Sequence, residues 1–307
     1  MDDEMDIVTQ KELDETEYIA DPKQRSAQRS VISLANRLQL QNAGSVSTAN
    51  LHSDPILKTF MFTKAYEIYA KPWPAGDILH ARFCSQHLPA LAQAYKATPD
   101  SRLATPYSFM MVSLLEKGHF ASFTRTPEGK ELLHIQVRRL ANHDVEDKIY
   151  HTFHVIELLN FLIVYAYYAQ DQVNPVINPE YLPGLRARCE GWRNTYYGYM
   201  QAYYAARNQR VVDMLTETIE FLDDTRSPTD MLRLNEVGKH MPLASCGYMK
   251  SECWRSGDVP TLACSKCKCV RYCSPEHQKA DWRYHKVACI TPPWILRTDS
   301  EGAASVL

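Results

Sequence analysis

The feature that most constrains this chain is a crowding of cysteine and histidine in its last quarter. Of the nine cysteines in 307 residues, seven lie between Cys246 and Cys289, and His277 and His285 lie among them. A disulfide framework would suit a secreted domain, but the acidic first residues, MDDEMD, are unlike a secretory signal, and thiols stay reduced inside cells. Cysteines crowded into one stretch of an intracellular protein are typical of metal ligands.

The spacing within this stretch predicts two zinc sites. Three closely spaced pairs can be read from it: Cys264 and Cys267, Cys273 and His277, His285 and Cys289. The first pair is separated by two residues, as in a zinc knuckle, and each of the others can face one way from a single helical turn. Together with Cys246 and Cys253 they supply eight ligands, enough for two tetrahedral sites without an open position, and such closed sites are structural.

Zinc also explains how so short a segment can fold. A run of about 45 residues is near the lower limit for folding on a hydrophobic core alone. Structural zinc contributes roughly 10–16 kcal/mol to the folding of finger peptides at neutral pH. We therefore expect the segment to be unfolded without metal.

The same stretch resembles the MYND zinc finger family. That family has two zinc-binding pairs: a knuckle followed by an aromatic residue and a Cys, then a Cys-Gln step, a Trp, a His and a final Cys. The sequence CSKCKCVRYC, Gln278, Asp281–Trp282, His285 and Cys289 match this pattern in residue type and spacing, over about residues 246–289. The resemblance implies a small, irregular, cross-braced finger that binds two structural zinc ions.

The resemblance further implies how the ligands are shared. One site would contain Cys246, Cys253, Cys273 and His277, and the other Cys264, Cys267, His285 and Cys289. His277 stands where the family usually has Cys, and imidazole is an ordinary zinc ligand. Six residues separate Cys246 and Cys253 where the family usually has two, so His240 remains an alternative to Cys246. Cys269 is left over and is predicted to be a spare thiol.

Protein recognition is the function that the resemblance implies. The family docks short proline-containing peptides of partner proteins, which suits an extended ligand laid against a short strand and an exposed aromatic side chain. The family's motif assigns that aromatic role to Trp282, with Gln278 as a polar partner. Packing over the zinc sites is an alternative role for Trp282, and both can hold together. We expect a non-enzymatic adaptor, with transcriptional regulation as one setting.

Three other functions remain as alternatives. Nucleic-acid binding is weakly supported, because the formal net charge is -2 and the ligands are not arranged as in a DNA-reading finger. SET-type lysine methyltransferases carry MYND fingers, but their Asn-His-Ser-Cys-type cofactor motif and late tyrosine motif are absent from this sequence. Some fungal MYND proteins with helical repeats serve as ubiquitin-ligase adaptors, and this is the runner-up within the binding class.

The remainder of the chain is predicted to be mainly α. An acidic, then polar, arm at 1–50 has few aromatic residues and is expected to be largely disordered, although SVISLANRLQL favours a short helix. In residues 51–225 apolar residues recur every three to four positions, which predicts an all-α domain. Its size and helix lengths would suit a solenoid. A linker at 226–239, the finger at 240–291 and a flexible tail at 292–307 would follow.

No stretch reaches the ~18 uncharged apolar residues of a membrane span. The most apolar run, Val155 to Ala169, is interrupted by Glu157 and Asn160, and its narrow polar stripe predicts a largely buried central helix. We expect an intracellular protein of the nucleus or cytoplasm without a membrane partner. No catalytic residues are predicted.

Overall fold

The computed structural model describes residues 16–38, 40, 75–98, 105–115, 117–142, 152–169, 177–198, 205–223, 243, 246–248 and 260–295. Over these residues the chain is mainly helical and ends in a small Cys/His-rich domain, which confirms the predicted fold class. A solenoid-like arrangement is not confirmed and stays a prediction.

The described elements follow in chain order: α1 (Pro22–Arg37), α2 (Ala75–Ala97), α3 (Pro106–Leu114), α4 (Gly118–Phe123), α5 (Pro127–Ala141), α6 (Thr152–Ala169), a 3-10 turn (Pro179–Tyr181), α7 (Leu182–Gly198), α8 (Ala205–Leu222), β1 (Leu262–Ala263), β2 (Arg271–Tyr272) and α9 (Pro275–His285). They fall into two compact units. The finger unit comprises Met1–Ala94, Glu116–Phe123 and Met241–Leu307, and the helical unit comprises Tyr95–Leu115 and Thr124–His240. The predicted domain boundaries stay predictions, and the linker at 226–239 lies outside the described residues.

Several helices share the same arrangement at their N-termini. A proline occupies the first turn of α1, α3, α5 and α9, and the side chain of the preceding residue accepts a hydrogen bond from the backbone. Proline has no N–H to lose there, and its fixed φ already suits the helix, while a short polar side chain satisfies an unpaired N–H. The prolines that punctuate the sequence therefore mark where these helices begin.

The helical unit is organised around α6. This helix is apolar on nearly all sides, and from Leu158 to Ala166 all its side chains but Asn160 are buried. It packs against α3, α5 and α8, while α7 packs against α5 and α8. The predicted central helix is thus confirmed, although the side chains of His154 and Glu157 lie outside what the structure describes.

Helix α1 includes most of the short helix predicted at SVISLANRLQL and begins earlier, at Pro22; the stretches 1–15 and 41–50 of the predicted disordered arm lie outside the described residues. The apolar side chains of α1 follow the three-to-four spacing of a helix and are buried: Ala27, Val31, Leu34, Ala35 and Leu38. Polar contacts join this helix to α2, because Arg82 donates hydrogen bonds to Gln24 (2.9 Å) and Gln28 (2.8 Å). Charge and polarity dominate the arm as a whole, but this part of it carries enough apolar surface to fold against a neighbour.

The start of the predicted tail is also ordered. The Trp294 indole N–H donates to Ser122 Oγ at 3.2 Å, and its ring meets the Phe123 ring edge-on with centroids 5.1 Å apart. Trp294 is buried as a result. A large aromatic ring gains free energy by leaving water even when the sequence around it is polar, so the prediction of a flexible tail is corrected for residues 292–295.

Helix α4 lies directly against the Cys/His-rich segment. A Cβ atom on Gly118 would lie 1.8 Å from the carbonyl oxygen of Cys269, so only glycine permits this approach. The next residue, His119, donates from Nε2 to the Ile290 carbonyl at 2.9 Å. From α1, Gln24 Nε2 donates to the Val287 carbonyl at 3.0 Å. The Cys/His-rich segment is therefore packed into the helices of its own unit.

None of the helices in the described part of the chain is both long enough and apolar enough to cross a lipid bilayer.

We predict that Gly118→Ala destabilises the protein by on the order of 1–3 kcal/mol, because the added methyl group must displace the backbone of Cys269. Gly191→Ala, in α7, is the matched control, since a Cβ there would meet no described atom within 4 Å. The control should gain up to about 1 kcal/mol from helix propensity. Urea denaturation measures both, and equal midpoints for the two variants would contradict the close approach.

His80 predicts a pH dependence of stability. Burial, reinforced by the positive charge of Lys117, lowers its pKa from 6.5 to about 3, and neither ring nitrogen has a hydrogen-bond partner among the described residues. Below about pH 6.5 the unfolded chain therefore takes up a proton that the folded chain does not. The free energy of unfolding consequently decreases as the pH is lowered. His80→Leu should remove this loss. The free-energy difference between variant and wild type should shift by roughly 2 kcal/mol in the variant's favour from pH 7 to pH 5; an unchanged difference would show that His80 does not carry it.

Candidate metal centre

Four buried side chains of the finger unit converge on one point: Cys264, Cys267, His285 and Cys289. Their ligand atoms all lie within 4.8 Å of one another. The sulfur atoms of Cys264 and Cys289 are 3.7 Å apart, and Cys267 Sγ lies 3.5 Å from His285 Nε2. Ligands around a tetrahedral zinc ion are about 3.5–3.8 Å apart, given zinc–sulfur and zinc–nitrogen bonds near 2.3 and 2.0 Å. The donor set and its spacing fit zinc.

The strands and the turn between them position the first two thiols. Strand β1 pairs antiparallel with β2, and the Cys264 N–H continues the ladder by donating to the Val270 carbonyl at 2.9 Å. The turn closes where the Lys268 N–H donates to the Cys264 carbonyl at 3.0 Å, with Lys268 in the left-handed conformation at φ 57°. The Cys269 N–H then points at Cys267 Sγ, 3.4 Å away, which favours a thiolate at that sulfur.

Helix α9 supplies the third ligand and is fixed to the sheet. Ser274 caps its first turn and His285 lies in its last. Between them, Asp281 accepts a hydrogen bond of 2.9 Å from the hydroxyl of Tyr272 on β2. The Tyr272 and Trp282 rings each approach the His285 ring edge-on, with centroids 6.3 and 6.0 Å away. The imidazole is therefore oriented from both sides.

The four ionisable side chains of this cluster shift one another's pKa values. Hydrogen bonds from the thiols of Cys267 and Cys289 lower the pKa of Cys264, and the same interactions raise the pKa of those two thiols. Burial alone would lower the pKa of His285, but hydrogen bonds to Cys264 and Cys289 outweigh it and raise the value to about 9. Without metal, only one of the three thiols therefore ionises readily, and its charge faces a protonated imidazole; a divalent ion would take the place of these protons.

A second cluster brings together Cys246, Cys273 and His277, again with all ligand atoms within 4.8 Å of one another. Cys246 Sγ lies 3.8 Å from His277 Nδ1, and the Tyr248 ring stacks on the imidazole with centroids 5.5 Å apart. A β-bridge between Cys246 and Arg271 holds this part of the chain against β2.

Gly247 makes that docking possible. Its N–H donates to the Arg271 carbonyl at 2.8 Å, and a Cβ atom on it would lie 2.4 Å from Val270 Cγ1. Contact with β2 thus brings Cys246 to the cluster. The alternative ligand His240 and the predicted fourth ligand Cys253 lie outside the described residues.

Most of the predicted site residues lie in the described part of the finger. Seven of the eight candidate ligands fall into the two groups that the family resemblance implied, and their roles as zinc ligands stay predictions until metal is measured. Cys269 belongs to neither group; it is fully buried, and its thiol donates to the Cys267 carbonyl at 3.0 Å. Gln278 is half-buried and Trp282 is 44% exposed.

The residues that support the centre from outside it could not be recognised in the sequence. Gly118 approaches the backbone of Cys269, two residues after the ligand Cys267. His119 contacts Ile290, the residue after the ligand Cys289. His119 and Ile290 are 171 residues apart, and no local pattern reveals such a pairing. An isolated Gly-His before an apolar run was the only available signal.

Comparison with known proteins agrees with this geometry. Residues 246–289 match the family model described as MYND finger. This segment is therefore a MYND-type zinc finger, a zinc-binding domain that mediates protein–protein interactions, and its two clusters agree with two zinc ions per chain. No curated protein and no solved structure matches the chain.

We predict two zinc ions per purified chain, measured by inductively coupled plasma mass spectrometry, one for each cluster. Cys264→Ser should lower the content to about one, because three ligands hold zinc far less tightly than four. Cys269→Ala is the matched control and should keep both ions, since its thiol faces a carbonyl rather than the cluster. A loss of zinc in the control, or none in Cys264→Ser, would contradict the assignment.

Proposed function

We propose that this protein is a non-enzymatic adaptor whose finger docks short proline-containing peptides of partner proteins through Trp282 and Gln278. The finger's general role, zinc binding and protein interaction, follows from its family. The peptide class, the contact residues and the adaptor role are the proposal. The predicted setting in transcriptional regulation stays a prediction.

The observation that carries the proposal is the position of Trp282. Its side chain is 44% exposed, although indole is among the residues that gain most from burial. The buried side of its ring meets His285, so the exposed part is a fixed platform rather than a swinging side chain. Both roles considered for Trp282, packing beside the metal cluster and contact with a ligand, are compatible with this position.

The surroundings of Trp282 suit an extended, proline-containing ligand. Gln278 lies one turn earlier on α9, half-buried, so its amide can pair with a peptide carbonyl next to the indole. Proline-containing segments are already extended and lose little entropy on binding, and they pack well on flat aromatic rings. A rigid indole beside one amide provides both kinds of contact.

A structural role for zinc supports the non-enzymatic part of the proposal. At the cluster of Cys264, Cys267, His285 and Cys289, four buried protein ligands leave no position for substrate or water. A catalytic zinc site keeps such a position open. Zinc would here hold the recognition surface in shape.

We predict that Trp282→Ala weakens binding to proline-containing peptides by at least about tenfold, because a central aromatic side chain usually dominates such an interface. Fluorescence polarisation with the full-length, zinc-loaded protein and a panel of labelled peptides measures the loss. Matched peptides with every proline replaced by alanine test the requirement for proline.

Tyr18→Ala is the matched control, because Tyr18 is an exposed aromatic residue (82%) of the finger unit that lies outside the finger itself. It should bind like the wild type, and both variants must retain two zinc ions. If no peptide of the panel binds, or if Trp282→Ala binds as well as the wild type, the proposal is wrong.

A further inference from the structure

A stripe of positive charge runs along the exposed face of α9. Lys279, Trp282, Arg283 and Lys286 follow the i, i+3, i+4, i+7 spacing that puts side chains on one side of a helix, and all four are exposed. We call these four residues the α9 face. It spans about 10 Å, given a rise of 1.5 Å per residue.

No acidic side chain in the described part of the chain forms an ion pair with the three cations of the α9 face. The nearest carboxylate on the helix, Asp281, is turned to the other side, where it accepts the Tyr272 hydroxyl. Glu276 is held at the first turn by Ser274. Lys279, Arg283 and Lys286 therefore share one helix face with an exposed indole, while the Arg283 guanidinium also lies over the Tyr284 ring, 4.5 Å from its centroid. Such a face fits an acidic segment with apolar residues.

The chain itself contains such a segment. Residues 1–15, MDDEMDIVTQKELDE, contain seven acidic residues against one lysine, and the run MDIV puts apolar side chains next to the acids. Between Cys264 and Ile290 the finger has six Lys or Arg against two acids. The two parts are opposite in charge, and each combines charge with an apolar element.

The described contacts place the point of attachment of this segment beside the finger. Gln24, in the first turn of α1, donates to the Val287 carbonyl, one residue beyond Lys286. The chain before α1 folds back along it, because Arg29 Nε donates to Thr16 Oγ1 at 3.0 Å. Residues 1–15 thus leave from a point about 8 Å along α1 from the finger contact. Fifteen extended residues reach up to about 50 Å, well beyond what the α9 face requires.

We propose that residues 1–15 bind the α9 face of the same chain, with their carboxylates on Lys279, Arg283 and Lys286 and their apolar side chains on Trp282. The segment then covers the surface that the proposed function assigns to partner peptides, so partners must displace it. The effective concentration of a tethered segment is in the millimolar range, so weak contacts suffice. The inference depends on the charges of the α9 face and not on proline recognition.

Zero-length carbodiimide crosslinking of the full-length, zinc-loaded protein tests this, because the reagent joins only a carboxylate and an amine that are already in contact. Mass spectrometry of the monomer fraction should find links from the acids of residues 1–15 to Lys279 and Lys286. Lys130, an exposed lysine of α5, is the matched control for random encounters. The α9 links should exceed the Lys130 links at least about threefold and fall as salt screens the charges.

Arg283→Glu sharpens the test because it reverses one charge of the α9 face and leaves both reactive lysines in place. It should lower the α9 links to the level of Lys130 without loss of zinc. Wild-type links at the Lys130 level, links confined to Lys23 of α1, links found only in a dimer fraction, or links unaffected by Arg283→Glu would each overturn the proposal.

A second measurement separates this proposal from the proposed function. Asp2→Asn, Asp3→Asn, Glu4→Gln and Asp6→Asn together remove four negative charges from the segment. The quadruple variant should shift the Trp282 indole N–H resonance, assigned with Trp282→Phe, and leave the Trp294 resonance unchanged. If Trp282→Ala abolishes peptide binding but the quadruple variant leaves the Trp282 resonance unchanged, the proposed function is upheld and this inference is overturned. If the quadruple variant shifts the resonance but Trp282→Ala binds peptides normally, this inference is upheld and the proposed function is overturned.

Discussion

Convergence of four ligand atoms within 4.8 Å is the constraint on which the finger depends. Three thiols and one imidazole cannot be buried together cheaply, because each would carry charge or leave a polar atom unsatisfied. A divalent ion reverses this cost and joins the knuckle after β1, the end of α9 and the chain beyond it. Without such an ion the two short strands and a helix of about three turns have little else to hold them together.

The finger is nonetheless not an independent module in this protein. Helix α4 meets the knuckle through Gly118, His119 reaches the carbonyl after the last ligand, and α1 contributes Gln24. Beyond the finger, Trp294 returns to α4. These contacts give the backbone around both ends of the ligand set fixed partners, so α9 presents Trp282 from a body larger than the finger alone.

Much of the candidate site could be predicted from the sequence, because metal ligation needs few residue types at fixed spacings. The candidate ligands follow from such a pattern, whereas the grouping of Cys264, Cys267, His285 and Cys289 follows from the resemblance to the MYND family. The burial of α6 was equally predictable from its apolar composition. The packing of α1 and Trp294 was not, because local composition suggested an acidic arm and a polar tail. Gly118 shows most clearly what the sequence could not predict. Its role is to leave space for a backbone some 150 residues away in the chain, and no local sequence pattern indicates that a side chain must be absent there.

The contact between Gly118 and Cys269 makes zinc affinity a property of the whole finger unit. Anything that binds only the folded form stabilises it, and by the same equilibrium anything that stabilises the folded form tightens binding. The free energy of packing α4 against the knuckle is therefore part of the apparent zinc affinity. A substitution on a helix that contacts no metal can consequently make this protein lose zinc at lower chelator concentrations, and ligand residues alone do not determine how much metal it retains.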